Sequence, residues 1–167
     1  MQILEAIKTR RSIRAFKEKD ISEGDLDRLK EALRWAPSAR NLQPRKFYFV
    51  MTEEKRKQLD SAVSQSFVCR APLVVVACRD LEKARGEKGE NLYSITDTSF
   101  SLQNLVLAAC ELGLGTCYIG AFNRKKVAEL LDLPENLRPM LLVPVGYPAE
   151  QPSPTSRVPK EDAVTEL

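Results

Sequence analysis

I-T-D-T-S-F-S-L-Q-N-L-V-L-A-A-C-E-L, residues 95–112, decides how this chain must be put together. Phe100, Leu102, Leu105, Val106, Leu107, Ala109, Cys110 and Leu112 leave the segment little polar face. A helix that is apolar nearly all round has to be buried on several sides. A chain of 167 residues is expected to fold as one domain, burying about two-thirds of its unfolded surface. In so small a chain this helix is expected to be central and to pack on a second subunit as well. Gly113 follows it in the place of a C-terminal cap.

The segments around it supply a sheet and further helices. Upstream, P-L-V-V-V-A-C (72–78) is a continuous apolar run, the pattern of a strand buried on both faces. K-F-Y-F-V-M (46–51) is an aromatic-rich strand, and M-L-L-V-P-V (140–145) is a third. Pro144 inside the latter argues for a bulge or an edge position. G-T-C-Y-I-G-A-F (115–122) reads as a strand running into a glycine turn.

Ser22 with Asp25 opens a helix whose apolar face is Leu26, Leu29, Leu33 and Ala36, and Pro37 stops it. Trp35 sits on its last turn, where packing inward is the commoner fate. Thr52 starts another helix with Leu59 and Val63 inward, and Asn123 caps a short one carrying Val127, Leu130 and Leu131. Residues 79–90, R-D-L-E-K-A-R-G-E-K-G-E, read as a solvated loop, with a flap over a pocket as the sharper alternative. From Pro148 onward four prolines and few large apolar residues give a segment with no core of its own. It is either a frayed tail or an extended arm laid on a partner.

Composition narrows the chemistry. The formal charge of +3 is too small to imply nucleic acid by itself, and no run is long and apolar enough for a membrane span. The N-terminus lacks the apolar core of a secretory signal, so a cytoplasmic location is expected. Cys69, Cys78, Cys110 and Cys117 have no C-x-x-C spacing and there is no histidine, so no metal site is expected. The missing histidine also removes Ser-His-Asp and Cys-His nucleophilic chemistry. An enzyme of this composition would lean on a cofactor.

Three segments share a purpose. Arg10, Arg11, Ser12 and Arg14 place three guanidinium groups and a hydroxyl within five residues, after a short helix with Ile3, Leu4 and Ile7. A helix C-terminus favours one or two cations. Three are more than the dipole requires, and Arg presents a donor fork suited to phosphate or carboxylate. P-S-A-R-N-L-Q-P (37–44) carries Ser38, Asn41 and Gln43 between two prolines that hold its ends. Gly120 lets backbone approach a flat ligand. Arg157 adds a cation in the tail. A dianionic phosphate joined by a polar linker to a flat, hydrogen-bonding ring would use all of these. Flavin mononucleotide is such a ligand, and another phosphorylated aromatic would also satisfy the residues.

R-R-S-I-R-x-F near the start, then A-P-S-A-x-N-x-Q-P, resembles the FMN-dependent nitroreductase family. The resemblance continues through R-A-P-L-V-V-V (70–76), residues 97–116, Y-I-G-A-F (118–122) and V-P-V-G-Y-P (143–148), covering about Leu4 to Val158. It implies an α+β fold, with a mixed central β-sheet flanked by helices, forming an intertwined homodimer with FMN at the subunit interface. Residues 1–148 would form the FMN-binding domain, and 149–167 an extended C-terminal arm on the partner. Arg10, Arg11, Ser12 and Arg14 match the residues that hold the phosphate and the ring's pyrimidine edge, Arg14 tuning the ring. Pro37, Ser38, Ala39, Asn41 and Gln43 match the loop supplied by the other subunit. Ile119, Gly120 and Ala121 match the backbone over the hydride-accepting ring nitrogen, with Arg14 and Gly120 as the catalytic pair. Arg157 matches a tail residue that returns to the phosphate. Thr155 stands where members often carry a second basic residue.

The implied activity is an FMN oxidoreductase in which NAD(P)H reduces the flavin and an electron-poor acceptor is then reduced, by a ping-pong mechanism. A flavin-storage, sensing or flavin-consuming protein of the same fold would share the site without the turnover. A nucleic-acid binder using the same arginines lacks any recognised motif. The acceptor and the choice between NADH and NADPH are not legible. The pocket rim that sets them is expected to involve Trp35, Arg40 and residues 79–90.

Overall fold

The computed structural model describes residues 2–84 and 92–167. In chain order the elements are α1 (Ile3–Thr9), α2 (Glu23–Arg34), a 3-10 turn (Ala39–Asn41), β1 (Arg45–Val50), α3 (Glu53–Asp60), a second 3-10 turn (Val68–Arg70), β2 (Leu73–Asp80), α4 (Leu81–Ala84), α5 (Ser94–Glu111), β3 (Gly115–Thr116), α6 (Arg124–Leu130), β4 (Leu137–Gly146) and α7 (Lys160–Ala163). The sheet order is β1-β2-β4-β3, and every ladder between these strands is antiparallel. A parallel bridge between Ser12 and Thr116 gives the sheet its mixed character at the β3 edge.

β2 is buried on both faces, as its unbroken apolar run requires. Val75 and Ala77 point to one cluster, with Leu26, Leu29 and Leu33 of α2 and Leu102, Leu105, Val106 and Ala109 of α5. Val74, Val76 and Cys78 point to the other, with Leu59 of α3, Val127 of α6 and Ile119. The molecule is therefore three layers, α2 and α5 on one face and α3 and α6 on the other. Burying each large aliphatic side chain contributes roughly 1.5–3 kcal/mol.

The helix ends follow their expected caps. Ser22 Oγ accepts from Asp25 N at 3.1 Å, Thr52 from Lys55 N at 3.4 Å, and Asn123 Oδ1 from Lys126 N at 3.0 Å. Gly113, at φ 72°, closes α5. Leu114 N then reaches back to Ala109 O at 2.8 Å and Gly113 N to Cys110 O at 3.1 Å, the paired bonds of a Schellman motif.

Pro144 lies in an interior strand rather than at an edge or bulge. Its neighbour two residues back, Leu142, turns its N–H to Ile119 O, away from β2. The missing N–H of Pro144 therefore faces the gap between Thr116 and Ile119, where the ladder is broken, and no β2–β4 bond is lost. The register shift falls instead beside Pro139, between the pairs Ala77–Leu141 and Cys78–Pro139.

Two other expectations change. Trp35 does not pack inward; it is 73% exposed, its Nε1 donating to Glu31 Oε2 at 2.9 Å and its ring under the Arg34 guanidinium. Arg79 and Asp80 finish β2 and residues 81–84 form a helical turn, because Lys83 N finds Asp80 Oδ1 at 3.3 Å. The solvated loop expected for 79–90, and its flap alternative, lie otherwise outside the described residues.

α5 splits into two faces. Asp97, Thr98, Ser101, Leu102, Leu105, Val106 and Ala109 are buried in the core, while Ile95 and Phe100 are exposed. α1 leaves Ile3, Leu4 and Ile7 exposed and buries only Ala6. A cavity of about 540 Å³ between α1, α2 and α5, lined by Ile3, Trp35 and Leu107 among others, joins these surfaces.

Candidate active site

Ser12 bridges to Thr116, and Ile13 N donates to Thr116 O at 2.9 Å. This is what fixes the arginine cluster after α1: the chain leaves the helix and adds to the β3 edge. Gly115 is required for that approach, since a Cβ there would lie 2.6 Å from the Ile13 side chain. The same join carries the cluster alongside the segment that leads to Ile119, Gly120 and Ala121. Burial pushes the Tyr118 hydroxyl up to about 12, while the nearby Arg10 charge works against that rise. Burial also raises the Cys117 thiol, against the pull of Arg14 and Ser12, which places these three residues in one neighbourhood.

Arg10 and Arg11 line a cavity of about 210 Å³ with Thr9, Gly115 and Pro152. Arg11 Nη1 donates to Lys8 O and Arg10 O, both at 2.8 Å, so it covers carbonyls at the α1 C-terminus. Glu150 Oε1 accepts from the backbone N–H groups of Arg14 and, at 3.2 Å, Ala15. An anion thus already seats on the backbone of the cluster.

The loop at 37–43 is held rigidly elsewhere. Arg40, Asn41 and Gln43 have φ of 53°, 55° and 50°, the left-handed region that L residues rarely adopt. Ser38 Oγ accepts from Gln43 N at 3.0 Å, Asn41 N donates to Ser38 O at 3.0 Å, and Gln43 Nε2 donates to Asn41 O at 3.3 Å. Two buried charges anchor it from below. The Asp97 carboxylate, 2% exposed, accepts from Ala39 N at 3.1 and 3.2 Å. The Arg45 guanidinium, 9% exposed, donates to the carbonyls of Ala36, Pro37 and Asp97. Burial lowers the Arg45 pKa and the Asp97 charge opposes that fall.

One chain therefore brings the cluster and the glycine turn together, and it leaves the loop apart. Among the described residues no hydrogen bond or ion pair links 37–43 to 10–14. Arg157 is exposed, and its Nη1 bonds only the neighbouring Thr155 and Ser156.

Asp97, Arg45 and Glu150 were not singled out from the sequence. Asp97 had a signal, a carboxylate in the first turn of a helix with little polar face. Arg45 directly follows Pro44 and could have been read as the loop's anchor. Glu150 had none.

Gly120 differs from the glycines the fold needs. A Cβ at Gly120 would meet nothing closer than Leu141 Cδ2 at 3.6 Å, ordinary contact, whereas one at Gly146 would lie 2.5 Å from Pro72. The chain's own packing gives no reason for glycine at 120. A flat ligand lying against the turn would.

The residues fit a flavin phosphate and ring. Arg10 and Arg11 present cations to a cavity, Arg14 stands beside them, and the turn at Gly120 is open to a flat surface. The cavity is smaller than the roughly 300–1,000 Å³ of ordinary ligand pockets.

Known proteins resemble this chain over most of its length. The profile of the nitroreductase family matches residues 7–68 and 60–147. The FMN reductase (NADPH) of Bacillus subtilis is 30% identical over 175 residues, covering 95% of this chain and 70% of the relative. The crystal structure of nitroreductase A from Vibrio parahaemolyticus superposes with a TM-score of 0.92 at 31% identity, over 99% of this chain and 76% of that one. NADPH:FMN oxidoreductase from Vibrio harveyi, solved with NAD+, gives 0.91 at 30% identity, over 98% and 76%. With the family profile spanning both the arginine cluster and the glycine turn, this chain belongs to the nitroreductase family.

Proposed function

We propose that the chain is an NAD(P)H-dependent FMN oxidoreductase acting as an intertwined homodimer. The observation that carries this reading is the Ser12–Thr116 join, which sets three arginines beside a glycine turn that the fold itself does not require. When bound, FMN supplies the redox chemistry, taking electrons from NAD(P)H and passing them to an electron-poor acceptor such as a nitroaromatic or quinone, in ping-pong order.

The chain's residues bind and orient. Arg10 and Arg11 hold the phosphate. Arg14 stabilises negative charge on the ring's pyrimidine edge, the electrostatic role expected of a preorganised cation. Ser12 hydrogen-bonds the linker, and the backbone of Ile119, Gly120 and Ala121 lies against the ring. No side chain here has to act as a nucleophile, consistent with the absence of histidine.

A partner subunit completes the site. Pro37, Ser38, Ala39, Asn41 and Gln43 reach the neighbouring chain's flavin, held in strained geometry by Asp97 and Arg45. Residues 149–167 form an arm that crosses to the partner and carries Arg157 toward the phosphate. Three features support the dimer: the exposed apolar faces of α1 and α5, the exposed arm, and a cavity too small for the ligand. None of the described helices is long and apolar enough to cross a membrane, and we place the protein in the cytoplasm. An acceptor screen on purified, FMN-loaded protein with NADH and NADPH tests the reading. Turnover with nitroaromatics or quinones is expected, and flavin binding without turnover would favour a storage or sensing role.

A further inference from the structure

Arg14 sits at a junction between two ladders. On its N-terminal side, Ile13 N donates to Thr116 O at 2.9 Å. On its C-terminal side, residues 15–17 run antiparallel to the chain that leaves β4. Lys17 N donates to Tyr147 O at 2.8 Å, Ala149 N donates to Ala15 O at 2.9 Å, and Phe16 faces Pro148. Pro148 falls on the pair that exchanges no hydrogen bonds, so its missing N–H costs this ribbon nothing. Lys19 Nζ, 4.0 Å from the Tyr147 ring centre, adds a cation–π contact to the ribbon.

The backbone ladder stops at Ala15. An antiparallel pair would return a bond from Ala15 N to Ala149 O, and among the described residues that bond is not made. The Glu150 carboxylate takes its place. Its Oε1 accepts from Ala15 N at 3.2 Å and from Arg14 N. Among the described residues Arg14 N has no backbone acceptor, so Glu150 is its partner. The carboxylate takes the amide of Arg14 and leaves the guanidinium to a ligand. Glu150 also lines the cavity that Arg10 and Arg11 line. There its charge opposes the seating of a phosphate, a cost that only a compensating role explains.

We propose that Glu150 is a positioning residue for Arg14, fixing the backbone from which the guanidinium reaches the flavin ring. This deepens the oxidoreductase reading above and rests on it. A cation stabilises charge developing on a reduced ring most when it is held in place beforehand. Arginine has a long, flexible stem, so the position of its backbone decides where the fork can reach. A hydrogen bond to a carboxylate is stronger than one to a carbonyl. It holds Arg14 where neither neighbouring ladder extends. The same contact gives the 149–167 arm a fixed point of departure.

The midpoint potential of the FMN-loaded protein, measured by dithionite titration against a reference dye, tests this without a nicotinamide. Glu150→Ala should lower the potential by about 30 mV, a tenfold loss in relative affinity for the reduced flavin in a two-electron couple. Flavin reduction in stopped flow should slow at least tenfold. Glu150→Gln keeps an oxygen for Arg14 N, and its rate should stay within about threefold of wild type. In an Arg14→Ala background, Glu150→Ala should change neither quantity further, because its effect passes through Arg14. Glu150→Ser, too short to reach Arg14 N, serves if the alanine variant does not fold. An unchanged or raised potential in Glu150→Ala, an undiminished further fall in the double variant, or a glutamine variant as slow as the alanine one would overturn the assignment. Absence of turnover with both nicotinamides would instead sink the oxidoreductase reading, while the potentials still decide on Glu150.

Discussion

Replacing Asp97 with alanine removes the carboxylate that holds the 37–43 loop, and the structure sets the size of the effect. Ala39 N loses its acceptor, which costs about 1–3 kcal/mol for a buried donor left unpaired. Arg45 keeps its three carbonyl partners but loses the nearest counter-charge, so the loss should stay near the low end of the ~3–5 kcal/mol for breaking a buried pair. Against this, Arg40 gains freedom to leave the left-handed region, relieving roughly 1–2 kcal/mol, while Asn41 and Gln43 stay tied to Ser38. The net expectation is a stability loss of about 3 kcal/mol, with the loop released from its poised shape. Ordering even one or two loop residues again on ligand binding costs about 1–2 kcal/mol each, so FMN affinity should fall about tenfold or more. Urea unfolding of the holoprotein at fixed protomer concentration measures the first effect, and fluorescence titration with FMN the second. Asp97→Asn, which keeps an acceptor for Ala39 but no charge, should fall between wild type and Asp97→Ala. An Asp97→Ala protein with FMN affinity within about twofold of wild type and stability within ~0.5 kcal/mol would refute the anchoring argument.

Arg10→Ala should mainly weaken FMN binding, by roughly 10–100-fold for one charge-assisted contact, as read by flavin titration. Arg14→Ala should also slow flavin reduction in stopped-flow measurements, and full flavin content with full turnover in both variants would undo their assignment. Gly120→Ala should leave the melting temperature almost unchanged, because its Cβ meets only Leu141 at 3.6 Å, yet lower flavin binding or turnover. Gly115→Ala should do the reverse and destabilise, because its Cβ would strike Ile13 at 2.6 Å. Phe100→Asp, on the exposed face of α5, should yield a monomer by ultracentrifugation that has lost FMN; a holo-monomer would separate the site from the interface.

The elements most legible in the sequence were those whose pattern is local. β2 announced itself by an unbroken apolar run, and α2, α3 and α6 by caps that the structure reproduces. α5 was legible as a largely apolar helix, and in one chain its Ile95 and Phe100 stay exposed. Pro144 misled because a proline's tolerance depends on which neighbour its missing N–H would face. That is a property of the β3–β4 pairing rather than of the strand. Trp35 misled because helix periodicity places a residue on a face without saying whether that face has anything to meet. In the candidate site, the arginines and the glycine turn could be found because they cluster in sequence. Asp97 and Arg45, which shape the loop, act across 58 and 52 residues through hydrogen bonds that no spacing reveals. The same holds for Glu150, which reaches Arg14 across 136 residues.

The most direct test of the central claim is anaerobic reduction of the purified, FMN-reconstituted protein. Adding NADPH should bleach the yellow flavin absorbance, and adding a quinone or nitroaromatic should restore it, with initial-rate plots giving the parallel lines of a ping-pong reaction. A protein that takes up no FMN, or whose bound flavin stays oxidised under both NADPH and NADH, would contradict it.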